Sequence, residues 1–203
     1  MLRRLHSPIF AAQATFMADF LRAHIEQLVP LTDEEFAIVA HHYSLKKLRK
    51  RQFLIQEQQM VDHIYLVQQG LLKTAHIDDS GREHILQFAA EHWWVSDFAA
   101  FHKRQPASLS IEAVENTEVW GVSFDSLKTL CSQFHKLEHF HRVKADFGYI
   151  GLQQRLLSMM NQSAQERYAH FAQQFPQLLQ RLPKQLIASY LGVSRETLSR
   201  ISL

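Results

Sequence analysis

Cysteine is almost missing from this chain: Cys131 is the single example in 203 residues. One thiol closes no intramolecular disulfide and cannot supply the thiolate set of an iron–sulfur cluster or of a cysteine-based structural zinc. Long hydrophobic runs are missing too. No uninterrupted apolar stretch approaches the roughly 20 residues of a membrane-spanning helix. The opening Met1-Leu2-Arg3-Arg4-Leu5 lacks the apolar centre and small-residue cleavage site of a signal peptide, so a cytoplasmic chain with no membrane partner is expected. There are no internal repeats and no low-complexity segments. Nor is there a phosphate-binding glycine loop, a nucleophile elbow, a zinc-peptidase motif or a convincing carboxylate pair, which argues against an enzyme.

What is present is core material. Hydrophobic residues make up 46% of the chain and include 14 Phe, enough for one or two domains. The pattern divides the chain into four parts. Residues 1–42 read as N-terminal helices: Phe16, Phe20, Leu21 and Ile25 share a face before Pro30, and Thr32-Asp33-Glu34-Glu35 spells a capping box ahead of Phe36, Val39 and Ala40. Residues 43–123 change to short strand-like runs, including Phe53-Leu54-Ile55, His63 to Val67, Leu71 to Ile77, His84 to Phe88, Ile111 to Val114 and Glu118 to Val122. Turns at Gln68-Gln69-Gly70 and Asp78-Asp79-Ser80-Gly81 favour a β-sandwich or jelly roll. Residues 124–160 predict one long helix. Phe140, Val143, Phe147, Ile150 and Leu157 recur on it at steps resembling a coiled-coil seam, with the polar Gln154 at one core position; that stripe faces either a dimer partner or the chain's own core. Residues 161–203 form the last part, opening with a second capping box at Ser163-Ala164-Gln165-Glu166. The expected fold class is α+β, with an N-terminal double-stranded β-helix or jelly roll, a long dimerisation helix and a C-terminal all-α helix-turn-helix domain.

The most informative stretch is residues 184–201. Leu186, Ile187, Ala188 and Leu191 give one helix an apolar face, Gly192 suits a left-handed turn, Val193 buries against that helix, and Ser194 caps a second helix whose Leu198 and Ile201 point inward. Arg195, Glu196, Thr197, Ser199 and Arg200 remain outside. Arginine forks match guanine O6 and N7 in the major groove and glutamate accepts from cytosine N4, so these residues, with Ser194 and Lys184, are candidate contacts to double-stranded DNA. The alternative is an αα-hairpin with a merely solvated charged face, serving protein interaction. Charge distribution favours DNA. Residues 151–203 hold Arg155, Arg167, Arg181, Lys184, Arg195 and Arg200 against Glu166 and Glu196, a balance of +4, whereas the remainder is −2.

Histidines number 13. His135 and His139 stand four apart on an expected helix with His141 nearby, and His41-His42 form a second group. Composition alone does not exclude haem. Without a carboxylate or thiolate set beside them, however, surface histidines are the favoured reading, and neither a metal site nor a cofactor is expected.

A β-roll, a long helix with a dimer-like seam and a C-terminal helix-turn-helix, in that order, resemble the Crp/Fnr superfamily of bacterial transcription regulators. The likeness covers nearly the whole chain and is closest at Gly192-Val193-Ser194-Arg195-Glu196-Thr197-Leu198-Ser199-Arg200-Ile201; Val67-Gln68-Gln69-Gly70 and Glu115-Asn116-Thr117-Glu118-Val119 resemble the family's hairpin glycine and the approach to its last strand. The resemblance implies a homodimer on a pseudo-palindrome, base contacts from Arg195, Glu196 and Arg200, and possible control by a small-molecule effector. It departs from the cyclic-nucleotide pattern. Where a Gly-Glu pair would hold the ribose the chain reads Ser96-Asp97, and where an arginine would hold the phosphate it has Ala107, before Ser108. Cyclic-AMP dependence is therefore not expected. Lys103 and Arg104 remain as substitutes from a loop, and Trp93, Trp94, Ser96, Asp97, Ala107 and Ser108 as a pocket for another ligand, against the alternative that both tryptophans are packing and Asp97 caps a short helix. The chain stops three residues beyond Arg200, short of the family's usual wing, so dimerisation is expected to matter more for binding.

Overall fold

The computed structural model describes residues 19–201. Helix α1 covers residues 19–26 and buries Leu21 and Ile25 completely; Phe16, expected on the same face, lies outside the described residues. Helix α2 (Asp33–His41) begins at the expected box: Glu35 N donates to Thr32 Oγ1 at 3.2 Å, and Thr32 N donates to Glu35 Oε2 at 2.8 Å. Two amides that the helix leaves unpaired are thus satisfied, an arrangement worth about 1 kcal/mol.

The roll follows as β1 (Tyr43–Leu48), β2 (Phe53–Ile55), β3 (His63–Gln69), β4 (Leu72–Ile77), β5 (Glu83–Ala89), β6 (Trp94–Val95), β7 (Ser110–Ala113) and β8 (Thr117–Ser123). The strands form two antiparallel four-stranded sheets, ordered β1-β8-β3-β6 and β2-β7-β4-β5. Alternation explains the sandwich. Ile64, Leu66 and Val122 share one face of one sheet, while Leu72 and Ile111 share a face of the other with Ile55 beside them, and all six are buried in the main core. Gly70 turns the β3–β4 hairpin at φ +101°, and a Cβ there would stand 2.5 Å from Thr117 Oγ1 and 2.6 Å from Asn116 O, so both conformation and space demand glycine. The short strand β6 and helix α3 (Phe98–Lys103) carry too few residues to show a period in the sequence.

The expected helix over 124–160 is two helices. α4 (Phe124–Gln133) and α5 (His135–Asn161) break at Phe134, whose φ −128° and ψ 98° leave the helical region. Phe134 packs against the main core there, between the buried Leu130 and Leu137. A second correction concerns Phe140, expected at the dimer seam. It is fully buried, edge-on to His24 at 5.7 Å and to Trp94 at 6.4 Å, and belongs to the chain's own core. Val143 is half-buried, whereas Phe147, Ile150 and Leu157 are 65%, 44% and 53% exposed. The first third of α5 therefore anchors the roll, and the rest presents an apolar face outward.

The C-terminal helices are α6 (Ala164–Gln174), α7 (Pro176–Arg181), α8 (Lys184–Leu191) and α9 (Arg195–Arg200). They do not hang free of the roll. Phe171, Leu178, Leu182, Ile187, Leu191 and Leu198 share one core with Leu71, Ala75, Ile85, Phe88 and Val114 from the roll. Each large apolar side chain so buried contributes about 1.5–3 kcal/mol before ordering costs.

Candidate nucleic-acid interface

The turn between α8 and α9 is built as its residues dictate. Gly192 sits at φ +71° and closes α8 with its amide on the Ala188 and Ser189 carbonyls, and Val193 N donates to Ala188 O at 3.0 Å. Met159 of α5 presses on the same spot, its Cε 3.0 Å from where a Cβ on Gly192 would lie. Ser194 then caps α9, accepting from Thr197 N at 3.1 Å, and Leu198 is 3% exposed beneath. That orientation leaves Arg195, Glu196, Thr197, Ser199 and Arg200 exposed on one outward surface, and Lys184 exposed at the start of α8. The Glu196 carboxyl is held below its usual range by its own backbone amide and the Ser194 hydroxyl, so it stands ionised as an acceptor. Ser194 and Thr197 are also within 3.2 Å of each other through their hydroxyls, which commits both to the cap. Arg195, Glu196, Ser199 and Arg200 are the groups left to face a ligand.

Three arginines counted in the sequence as cations for phosphate are spent internally. Arg155 donates to Ile85 O at 2.9 Å and to Tyr190 O at 2.7 Å. Arg167 caps the end of α8 through Leu191 O, at 3.2 and 3.0 Å, and reaches Gln162 O at 2.6 Å. Arg181 bridges Glu91 and Glu115, with Nη1 2.9 Å from Glu91 Oε2. Burial alone would raise the Glu91 carboxyl, but Arg181 together with backbone amides, Gly70 N at 2.9 Å among them, holds it below its ordinary range. Around these pairs Phe88, Phe171, Phe175 and Tyr190 stack as one aromatic cluster, with Trp93 edge-on to Phe175. The sequence marked none of these arginines, because an internal and an external arginine are spelled alike.

The six residues grouped as a possible effector pocket do not line one cavity. Asp97, 1% exposed, caps α3 through Ala100 N at 3.0 Å and accepts from Ser108 N at 2.9 Å and Ser108 Oγ at 3.1 Å. Ser96 donates to His63 O at 2.9 Å, and Ala107 is 1% exposed within the main core. These residues present no cation for a cyclic phosphate and no free carboxylate for a ribose, so they do not fit a cyclic nucleotide in the manner of the pattern above. Arg104, one of the two loop substitutes, pairs with Asp62 at 3.1 Å. Trp93 and Trp94 instead line a separate cleft of about 960 Å³, running between the roll and α5 past His141, Lys144, Leu152 and Tyr190. At its base Trp94 Nε1 donates to His24 Nε2 at 3.3 Å, and His141 lies 3.4 Å from the Tyr43 hydroxyl. His135 is exposed, and no group of three or more metal-binding side chains occurs among the described residues.

Comparison with known proteins bears on the whole arrangement. The cyclic nucleotide-binding domain family matches residues 45–134, the roll and α4. The chain is 28% identical over 173 residues to the transcriptional activator protein Anr of Pseudomonas protegens, covering 77% of this chain and 68% of the activator. A transcriptional regulator assigned to the Crp/Fnr family from Eubacterium rectale shares the fold at a TM-score of 0.68 and 17% identity, covering 84% of this chain and 82% of that one. The chain is thus similar in sequence to a transcriptional activator and in fold to a regulator of the Crp/Fnr family. FixK2 from Bradyrhizobium japonicum also shares the fold, at a TM-score of 0.69 and 19% identity over 78% of this chain and 82% of that one. The Crp/Fnr order of roll, long helix and helix-turn-helix is thus observed across the described residues, and none of their helices is long and apolar enough to cross a membrane.

Proposed function

We propose that this protein is a sequence-specific DNA-binding transcription regulator, acting in the cytoplasm as a homodimer and without cyclic AMP. The observation that carries the reading is the outward face of α9: Leu198 is buried while Arg195, Glu196 and Arg200 are exposed, and neither arginine has a hydrogen-bond or ion-pair partner among the described residues. Arginine forks and an ionised glutamate at one helix start suit G·C pairs in a major groove. The apolar side of α5 beyond Val143 supports the dimer, since Phe147, Leu152 and Leu156 are more than half exposed on one helix, and Phe147 and Leu152 border the open cleft. The engagement of Asp97 and the alanine at 107 support independence from cyclic AMP, and the cleft is where another small effector would lodge. No step of this reading is catalytic.

The test is selection of duplexes from a random pool, followed by titration of the recovered duplex. Arg195→Ala and Arg200→Ala are expected to lose about 1–3 kcal/mol and to relax base preference, while Lys184→Ala weakens all duplexes evenly. Unchanged affinity in both arginine variants overturns the base-reading assignment, and tighter binding on adding cyclic AMP overturns the independence. Absence of salt-sensitive binding to any duplex would point instead to a protein-interaction module.

A further inference from the structure

Past Phe140 the inward face of α5 stops packing. Leu137 and Phe140 bury that face in the main core, and the positions that continue it, at steps of four and three, are Lys144, Gly148, Gly151 and Arg155. All four line the cleft between α5 and the roll. Glycine weakens the middle of a helix, and packing does not require it here, because a Cβ on Gly148 or Gly151 would meet nothing within 4 Å. The two glycines therefore keep a space open and leave helix backbone bare beside it.

That space is elongated and one-sided in charge. Its volume of about 960 Å³ suits a small organic ligand, and Leu86, Trp93, Leu152 and Phe175 give it apolar walls. Among the described residues, Arg142, Lys144, Arg155 and Arg167 line it against a single carboxylate, Glu138. Arg142 pairs with Asp146 at 3.2 Å. Arg155 and Arg167 donate to neutral carbonyls, so neither charge meets a carboxylate. Lys144 has no hydrogen bond or ion pair; its ammonium lies 5.5 Å from the Phe140 ring centroid, and burial makes its proton easier to lose. Behind the cleft wall, Trp94 Nε1 donates to His24 Nε2, so the proton of the neutral His24 ring sits on Nδ1. That Nδ1 is buried without an acceptor, and the charged or titratable groups acting on His24 are Lys144, His92 and His141, with no carboxylate among them. This end of the cleft lacks an anion.

We infer that the cleft binds a linear amphipathic carboxylate, a fatty acid of medium chain length, with its carboxylate on Lys144 and its hydrocarbon tail laid over Gly148 and Gly151. The inference deepens the effector reading above and rests on it. From Lys144 to Arg155 the helix rises roughly 16 Å, at ~1.5 Å per residue, which gives an extended tail room to lie flat between the bare backbone and the apolar wall of the roll. A tail so placed gains by leaving water, and the carboxylate supplies the charge that Lys144 lacks. A partner helix is not the occupant. The seam residues Ile150 and Leu157 do not line the cleft, so a second copy seated on them leaves it open.

The experiment titrates laurate, its uncharged methyl ester and acetate into the full chain, far below the concentration at which laurate forms micelles. Fluorescence of Trp93 and Trp94, which line the cleft, reports occupancy. The wild type is expected to bind laurate saturably, the ester more weakly and acetate not at all. K144M should weaken laurate roughly tenfold or more and leave the ester unchanged, because it removes the charge and keeps an unbranched side chain. G148L/G151L should abolish binding of both by filling the space. Its melting temperature should not fall, since leucine favours a helix over glycine, and that result reports an intact fold. No saturable binding by the wild type, equal laurate affinity in wild type and K144M, or undiminished binding by the filled variant each overturns the inference. None of these touches the DNA-binding reading, because no duplex is present. Laurate bound as expected but without effect on duplex affinity supports the site and overturns only its regulatory role.

Discussion

Arg155 lies flat on Tyr190, its guanidinium carbon 3.6 Å from the ring centroid, while its Nη2 donates to the Tyr190 carbonyl at 2.7 Å. The same nitrogen reaches Ile85 O on β5 at 2.9 Å. One side chain of the long helix thus joins the roll to the first helix of the reading module, and it does so beside the exposed Leu156 and Leu157. A displacement of α5 therefore reaches α8 through this side chain. Lysine offers no planar fork to stack and bridge in this way.

Arg155→Ala and Arg155→Lys are both expected to loosen the module, by about 1–3 kcal/mol of local stability. Amide hydrogen exchange should rise in α8 and β5 while α1 and β8 stay protected. Equal protection in wild type and variants would refute the bridge.

Arg181 carries a pH-dependent clamp. Because the Glu91 carboxyl is held below its ordinary value near 4.5, the clamp stabilises fully above that pH and weakens as pH falls below it. Arg181→Met should lower the melting temperature at pH 7 and shrink the acid-side decline attributable to this pair. An identical pH profile in the variant would show that the pair adds nothing.

Two buried histidines act at higher pH. Burial pushes the His24 imidazole down to about 3 and His141 to about 4, so both stay neutral when folded while the unfolded chain takes up protons below about 6.5. Stability should therefore be full above pH 6.5 and fall as the pH drops toward 4, by at most about 1.4 kcal/mol per pH unit for each histidine. His24→Leu removes one titration and should flatten the decline, read as urea midpoints between pH 7.5 and 5. A slope unchanged by the substitution would contradict a neutral buried His24.

The two ends of the α5 stripe should behave differently. Phe147→Glu with Leu157→Glu should yield a folded monomer in sedimentation, since both side chains are exposed in the single chain. Phe140→Ala should instead destabilise the fold by about 3–5 kcal/mol, because it empties a fully enclosed site. A folded dimer from the double variant would move the dimer surface elsewhere.

Much of the architecture was legible. The capping boxes at Thr32 and Ser163 and the left-handed Gly192 are observed where local patterns placed them. The strands whose burial alternates, such as β7 and the first half of β3, could be read for the same reason. Other features were not legible. Phe140 keeps the spacing of Phe147 and Leu157, yet His24 and Trp94, brought from far along the chain, cover it and leave the others bare. The sequence left Asp97 between an effector pocket and a helix cap, and gave no sign that Ser108 would occupy its second oxygen.

Residue order by itself determined the turns, caps, strand faces and the reading helix of this protein. Each of these depends on hydrogen bonds and side-chain directions among residues a few positions apart. Only the tertiary structure decided which cations face outward. Arg181 finds Glu115 and Glu91 from 66 and 90 residues away, and Arg155 finds Ile85 from 70, while Arg49, Lys50 and Arg51 find no carboxylate among the described residues. Compensation of charge acts over a few ångströms, and sequence separation does not say which groups will come that close.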